Sequence, residues 1–146
     1  MSHGFAAGFA GWLATPDAAE RTDEGERMAP ADLAGYPHPP QACLINWYGP
    51  NARMGLHQDR DEADFSAPVV SLSLGDTCLF RIGGTKRNDP TRTIRFASGD
   101  AVVLGGEARL AFHGVDRIIP GTSTLLPEGG RINLTLRRVT VPGDGS

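Results

Sequence analysis

The sequence has no long apolar run, only two cysteines and no excess of basic charge. No uninterrupted apolar stretch approaches the roughly 20 residues that a membrane-spanning helix needs, and the start MSHGFAAGFAGW has neither a basic n-region nor a clear cleavage site. The expectation is a cytoplasmic monomer with no membrane contact. Cys43 and Cys78 each sit inside an apolar, strand-like run, and neither has the near partner of a zinc or redox motif. Both are expected to act as small buried hydrophobes. A net charge of −3 argues against a protein that coats nucleic acid with its whole surface. The charge is uneven, however. Residues 1–40 hold Arg21 and Arg27 against six acids, whereas residues 81–117 hold seven Lys/Arg against Asp89, Asp100, Glu107 and Asp116. That central excess is either a solvated face or the footprint of a polyanion.

What the chain does have is glycine and proline, 19 and 11 of them among short apolar runs, which points to strands joined by turns rather than a helical bundle. At 146 residues the length supports one domain with one core. Thr15-Pro16-Asp17 reads as the start of a short helix, with threonine as cap and proline in the first turn. The stiff connector Gly35 to Pro40 then divides an N-terminal lid segment, 1–40, from a core over 41–141, and 142–146 reads as a disordered tail. Within the core, strands are expected at Cys43–Tyr48, Arg53–Asp59, Val69–Leu74, Cys78–Ile82, Thr93–Phe96, Ala101–Leu104, Arg109–Val115 and Arg131 to about Val141. About eight short strands with turns between them fit a mainly β, double-stranded β-helix: a jelly roll of the cupin-like kind, with a short, partly helical N-terminal segment.

The chemistry centres on Leu56-His57-Gln58-Asp59. On an extended segment residues i and i+2 point the same way, so His57 and Asp59 present an imidazole and a carboxylate to one point. A third ligand from His113 completes a facial triad, which leaves adjacent positions open and suits a non-haem Fe(II) oxygenase. His3 and His38 are poorer candidates, one terminal and the other between prolines. The second feature is the alternating strand Arg131-Ile132-Asn133-Leu134-Thr135-Leu136-Arg137. Its polar residues, Arg131, Asn133, Thr135 and Arg137, share one face. A guanidinium turned into a barrel is costly unless an anion meets it, so a dicarboxylate with its keto-acid end on the metal suits both arginines. The alternation alone also fits an exposed face with ordinary surface charges.

Asn46-Trp47-Tyr48, the run Leu56 to Glu62, Ala67-Pro68-Val69-Val70-Ser71, Lys86-Arg87-Asn88-Asp89-Pro90, the run Gly105 to Leu110, Phe112-His113-Gly114 and RINLTLR together resemble the bacterial AlkB oxidative demethylases. The resemblance runs from about Tyr36 to Arg138. It implies a jelly roll that uses Fe(II), 2-oxoglutarate and O2 to repair alkylated single- or double-stranded DNA, or RNA. Methyl groups on bases such as 1-methyladenine and 3-methylcytosine would leave as formaldehyde, with succinate and CO2 as co-products. By position it makes His57, Asp59 and His113 the iron ligands and pairs Arg131 and Arg137 with the cosubstrate carboxylates. Asn46, Tyr48 and Asn133 are implied as its hydrogen-bonding partners, with Thr135 grouped beside them. Asp61 and Arg87 match positions that contact the substrate base or its strand, and Trp12 matches a stacking residue of the lid.

The N-terminal side departs from that pattern. The tyrosine- and proline-rich stretch of family lids is replaced by the acidic, alanine-rich run Pro16 to Ala34, which repels phosphate, and Leu104 stands where relatives often place an aromatic. The alternative expectation is therefore a 2-oxoglutarate oxygenase fold whose nucleic-acid site is lost or altered, acting on another substrate or as a non-catalytic binding module.

Overall fold

The structure, a computed structural model, describes residues 40–141 and Gly143. The expected lid segment, its helix at Thr15 and Trp12 lie outside the described residues, as does most of the expected tail. Eight strands form in chain order: β1 (Ala42–Tyr48), β2 (Met54–His57), β3 (Val69–Gly75), β4 (Thr77–Ile82), β5 (Arg92–Phe96), β6 (Ala101–Leu104), β7 (His113–Ile119) and β8 (Arg131–Arg137). They make two four-stranded antiparallel sheets, ordered β1-β8-β3-β6 and β2-β7-β4-β5. Consecutive strands mostly fall in different sheets, which is the jelly-roll arrangement anticipated from the strand spacing. Among the described residues no helix is long and apolar enough to cross a membrane.

The core lies between the sheets. Val69, Val102 and Leu104 from one sheet meet Cys78, Phe80, Phe96, Val115 and Ile118 from the other. β8 sits inside its sheet, between β1 and β3, so its alternation decides which residues face the interior. Arg131, Asn133 and Thr135 are buried and face inward, while Ile132, Leu134 and Leu136 share the outer face with β1's Ile45 and Trp47. The exposed-face reading of this strand is excluded.

Several boundaries differ from expectation, each for a local reason. Arg109 is not on the strand of His113 but in a 3₁₀ turn, Gly106–Leu110, closed by bonds from Ala108 and Ala111 amides to the carbonyls of Gly105 and Ala108. The strand begins at His113 and runs on to Ile119. β8 stops at Arg137 because the amides of Val139 and Thr140 turn away to the Gln41 side-chain carbonyl. β2 ends at His57, after a shift in register against β7, so Asp59 lies just beyond the strand. Cys43 is exposed on edge strand β1, contrary to the buried role expected for it, whereas Cys78 is fully buried.

Burial pushes the Cys78 thiol up, against a smaller opposing pull from Arg131 and a hydrogen bond to the backbone of Phe96. It therefore stays protonated, and thiolate is the reactive form. Iodoacetamide at mildly alkaline pH should modify Cys43 in the folded protein and Cys78 only after denaturation, as read by intact mass and peptide mapping. Equal native labelling of both would contradict the packing.

Candidate metal centre

β2 and β7 bring His57 and His113 directly opposite one another, with ring centroids 4.5 Å apart. The chain then turns so that Asp59, 6% exposed, points between them. Its Oδ1 lies 3.6 Å from His57 Nε2 and its Oδ2 lies 3.4 Å from His113 Nε2. The three donor atoms fall within 4.8 Å of one another.

Both imidazoles are held by the same device. Nδ1 of His57 lies 2.9 Å from the Gly55 carbonyl, and Nδ1 of His113 lies 2.9 Å from the Ala111 carbonyl. A carbonyl only accepts, so each Nδ1 must carry the proton and each Nε2 is left as the donor atom. In the neutral rings two lone pairs and a carboxylate then converge, which is repulsive unless a cation lies among them. The donor set of two nitrogens and one oxygen fits Fe(II). Burial alone would push the Asp59 carboxyl up. With no metal bound, a proton on Nε2 can take the cation's place: hydrogen bonds from His113 and His57, with the charges of His113 and Arg137, then outweigh burial and hold the group well below the usual carboxylate range. The hydrogen bond to Asp59 raises the His57 pKa, burial opposes this, and the Gly55 carbonyl adds to the rise.

The centre opens into a cavity of about 120 Å³ whose wall includes Asn46, Tyr48, Phe80, Leu104, Arg131 and Asn133. Arg131 is 2% exposed. Its Nη2 donates to Ser73 Oγ at 2.9 Å and its guanidinium lies 5.3 Å from the Tyr48 ring centroid, while Nε and Nη1 have no partner. No acid pairs with it among the described residues. A cation over an aromatic face gains about 2 kcal/mol when desolvated, less than the several kcal/mol lost by burying the charge. An anion is the missing partner, and a carboxylate matches the guanidinium fork best.

The two arginines of β8 are not equivalent. Arg137 already meets protein carboxylates, Glu62 Oε1 at 3.0 Å and Asp59 Oδ1 at 3.2 Å. Asn133 directs its amide hydrogens to Ser71 Oγ and the Leu72 carbonyl, and its oxygen accepts from Thr135 at 2.8 Å. Asn133 and Thr135 thus line the cavity with their groups turned largely toward protein. Tyr48 is buried, with its phenol pushed up by burial against a smaller lowering by Arg131. Arg87 is exposed outside the cavity, donating to the Leu56 carbonyl at 3.3 Å and lying 4.9 Å from the Phe112 ring centroid. Asp61 is exposed as well and does not line the cavity.

Two residues had no assigned role in the sequence. Glu62 bridges Arg137 and Arg109, accepting from Arg109 Nη2 at 2.9 Å through its second oxygen. Arg109, buried, also donates from Nε to the Ala67 carbonyl at 2.8 Å and from Nη1 to the Asp59 carbonyl at 2.7 Å. This chain of charges clamps the segment that carries Asp59. Its members lie 47 and 75 residues apart in sequence, so no local spacing announces them; the only hint is that Glu62 and Arg109 both fall inside the quoted motifs.

The jelly roll and the two-histidine, one-carboxylate donor set fit one class of protein: the chain belongs to the 2OG-Fe(II) oxygenase superfamily, whose family model matches residues 10–137. Within it the chain is an AlkB-family member. It is 70% identical over 100 residues to an alpha-ketoglutarate-dependent dioxygenase AlkB homolog of Caulobacter vibrioides, covering 68% of this chain and 46% of that protein. It is 50% identical over 109 residues to Escherichia coli alpha-ketoglutarate-dependent dioxygenase AlkB, covering 74% and 50%. The solved structure of OsALKBH1 matches with TM-score 0.64 and 39% identity over 81% of this chain and 56% of that one. The chain spans about half the length of the curated relatives it matches.

Replacing Arg109 with Leu leaves the buried Glu62 short of one partner and should cost about 3–5 kcal/mol, measured by urea unfolding. A loss under about 1 kcal/mol would match a surface pair instead. Replacing His113 with Ala should abolish stoichiometric binding of Mn(II) or Co(II) in a calorimetric titration while the protein stays folded by circular dichroism.

Proposed function

We propose that this protein is an Fe(II)- and 2-oxoglutarate-dependent dioxygenase that removes methyl groups from alkylated DNA or RNA bases, such as 1-methyladenine and 3-methylcytosine. One observation carries the cosubstrate: Arg131, a buried guanidinium with no acid partner, shares a cavity with two imidazoles whose free Nε2 atoms converge on Asp59. Support for the substrate comes from the names of relatives, among them a DNA N(6)-methyladenine demethylase of Arabidopsis thaliana and a tRNA demethylase of Schizosaccharomyces pombe.

In this reading the jelly roll over 41–141 is the dioxygenase core and 1–40 its lid segment, with 142–146 outside both. His57, Asp59 and His113 hold Fe(II). With 2-oxoglutarate and O2, bound iron supplies the oxidation that hydroxylates the methyl group, giving succinate and CO2, and the hydroxymethyl leaves as formaldehyde. Arg131 grips the distal carboxylate of 2-oxoglutarate, with Tyr48 and Asn46 beside it. Asn133 and Thr135 stiffen that wall through their mutual hydrogen bond. Arg137, held by Glu62, fixes the Asp59 carboxylate and presents the rest of its edge toward the cosubstrate. Phe80, Phe96, Val102 and Leu104 keep the cavity wall apolar and limit water. No side-chain general base is needed. Asp61, Arg87 and Trp12 are assigned to the substrate strand and base, and a base must leave its stack to enter, so single strands should react more readily than duplexes.

The test is formaldehyde release from a methylated single-stranded oligonucleotide. Release that requires both Fe(II) and 2-oxoglutarate is expected; succinate without formaldehyde would contradict the demethylase reading. Arg131→Met separates the cosubstrate site from the fold. Losing the partner of a buried charge costs about 2–5 kcal/mol in binding, so 2-oxoglutarate affinity should fall by about 30-fold or more. The ligand-free variant should be at least as stable as the parent, because an unpaired buried charge has been removed.

A further inference from the structure

The outer face of the β2-β7-β4-β5 sheet carries charge that the metal centre does not use. Phe80 lines the cavity, so its neighbours Leu79 and Arg81 on β4 point away from it. Ile94 packs on the core and Ile118 is buried, which turns Arg95 on β5 and Arg117 on β7 outward in the same way. Leu79 pairs in register with Arg95 on one side and Arg117 on the other. The two arginines therefore flank it across two strand spacings, about 10 Å. Both are exposed, and no acid pairs with either among the described residues. Two residues along β4, toward the mouth, Arg81 reaches Asp116 at 3.5 Å and Thr91 at 3.1 Å. The mouth end of the strand is where Ile82 faces His113, and Arg87 lies close by against the Leu56 carbonyl.

The other sheet shows that this is not a uniform property of the surface. Its outer face presents Ile45 and Trp47 of β1, Ile132, Leu134 and Leu136 of β8 and Leu72 of β3, with no charge among them. The protein as a whole is negative, so a polyanion would meet net repulsion anywhere except along a local basic track. The track also lacks an aromatic side chain on which a base could stack, which leaves phosphate as the group it can hold.

We propose that Arg95 and Arg117 form a second contact surface for the sugar-phosphate backbone of the substrate, engaging nucleotides that flank the base held at the metal centre. The proposal rests on the nucleic-acid reading above and adds to it a sequence-independent contact remote from the chemistry. From the Ile82–His113 pair to the Leu79 row is three strand residues, about 10 Å, or roughly three nucleotides at about 3.4 Å per step. A long strand reaches the track, and a trinucleotide centred on the modified base does not.

The experiment compares the full chain with R95Q/R117Q, whose substitutions keep size and polarity but remove charge. Fluorescence anisotropy follows a labelled, unmodified long single strand across a salt series, and formaldehyde release follows a methylated trinucleotide. Two lost phosphate contacts should lower the slope of log K against log salt by about 1.4, at about 0.7 per contact on a single strand, and R95K/R117K should restore it. Turnover of the trinucleotide should stay within about two-fold, since no cavity residue has changed. An unchanged salt slope and affinity in R95Q/R117Q, or a slope that the lysine variant fails to restore, overturns the proposal. Failure of the demethylase reading shows elsewhere, as absent formaldehyde from the trinucleotide in the parent protein.

Discussion

A carboxylate buried between two imidazoles whose Nε2 atoms both face it is the constraint on which the rest of this structure depends. With both rings neutral and no cation among them, Asp59, His57 and His113 place lone pairs against a negative charge beside the cavity. The carbonyls of Gly55 and Ala111 remove the easy escape, because each fixes Nδ1 as a donor and so keeps Nε2 aimed inward. Such an arrangement is held by the surrounding fold rather than by its own energy. The holding is visible: Arg109 ties the Asp59 backbone to Ala67 and Glu62, and Glu62 ties in Arg137 from β8. A metal bound here would therefore relieve a preorganised conflict instead of having to gather its ligands.

The jelly roll serves this purpose through one strand in each sheet. β7 begins at His113, opposite His57 of β2, and this pairing places both imidazoles at the mouth between the sheets. β8, enclosed by β1 and β3, has to place one of its faces in the interior, and the polar face is the one it places there. Arg131 at one end of that face lies deep beside Tyr48, and Arg137 at the other end lies beside Asp59. Seven residues of one strand thus join the anion site at Arg131 to the carboxylate of the metal triad.

Most of this was legible in the sequence, and the reasons differ by residue. His57, Asp59 and His113 could be grouped because a His-x-Asp pair is followed by a single later histidine beside a glycine and then by an arginine-bearing strand, although a turn after β2 rather than the strand period aims Asp59 at the imidazoles. The polar face of Arg131 to Arg137 was visible as strict alternation, although alternation cannot say whether a face looks inward or outward; the strand's position inside its sheet decides that. The expectation that both arginines meet the cosubstrate treated them as equals, and the buried Glu62, supplied from far away in the chain, makes them unequal. The apolar residues after Arg109 suggest a strand, whereas Arg109 sits in a 3₁₀ turn and bonds to Glu62 and Ala67, distant partners that no local pattern encodes. The apolar neighbours of Cys43 suggest burial, but on an edge strand they face solvent. The lid segment and Trp12 fall outside the described residues, so the acidic run has no structural counterpart to set beside it.

One cavity joins the metal triad to the anion site at Arg131, and in the proposed function Fe(II) and 2-oxoglutarate bind there together. The direct measurement is visible absorption of the protein under strict exclusion of oxygen, titrated with Fe(II) and then with 2-oxoglutarate. A charge-transfer band that grows only when both are present, saturates at one equivalent of each and is absent in Arg131→Met is the predicted result. Binding of either component without the band, or a band indifferent to Arg131, would contradict the account.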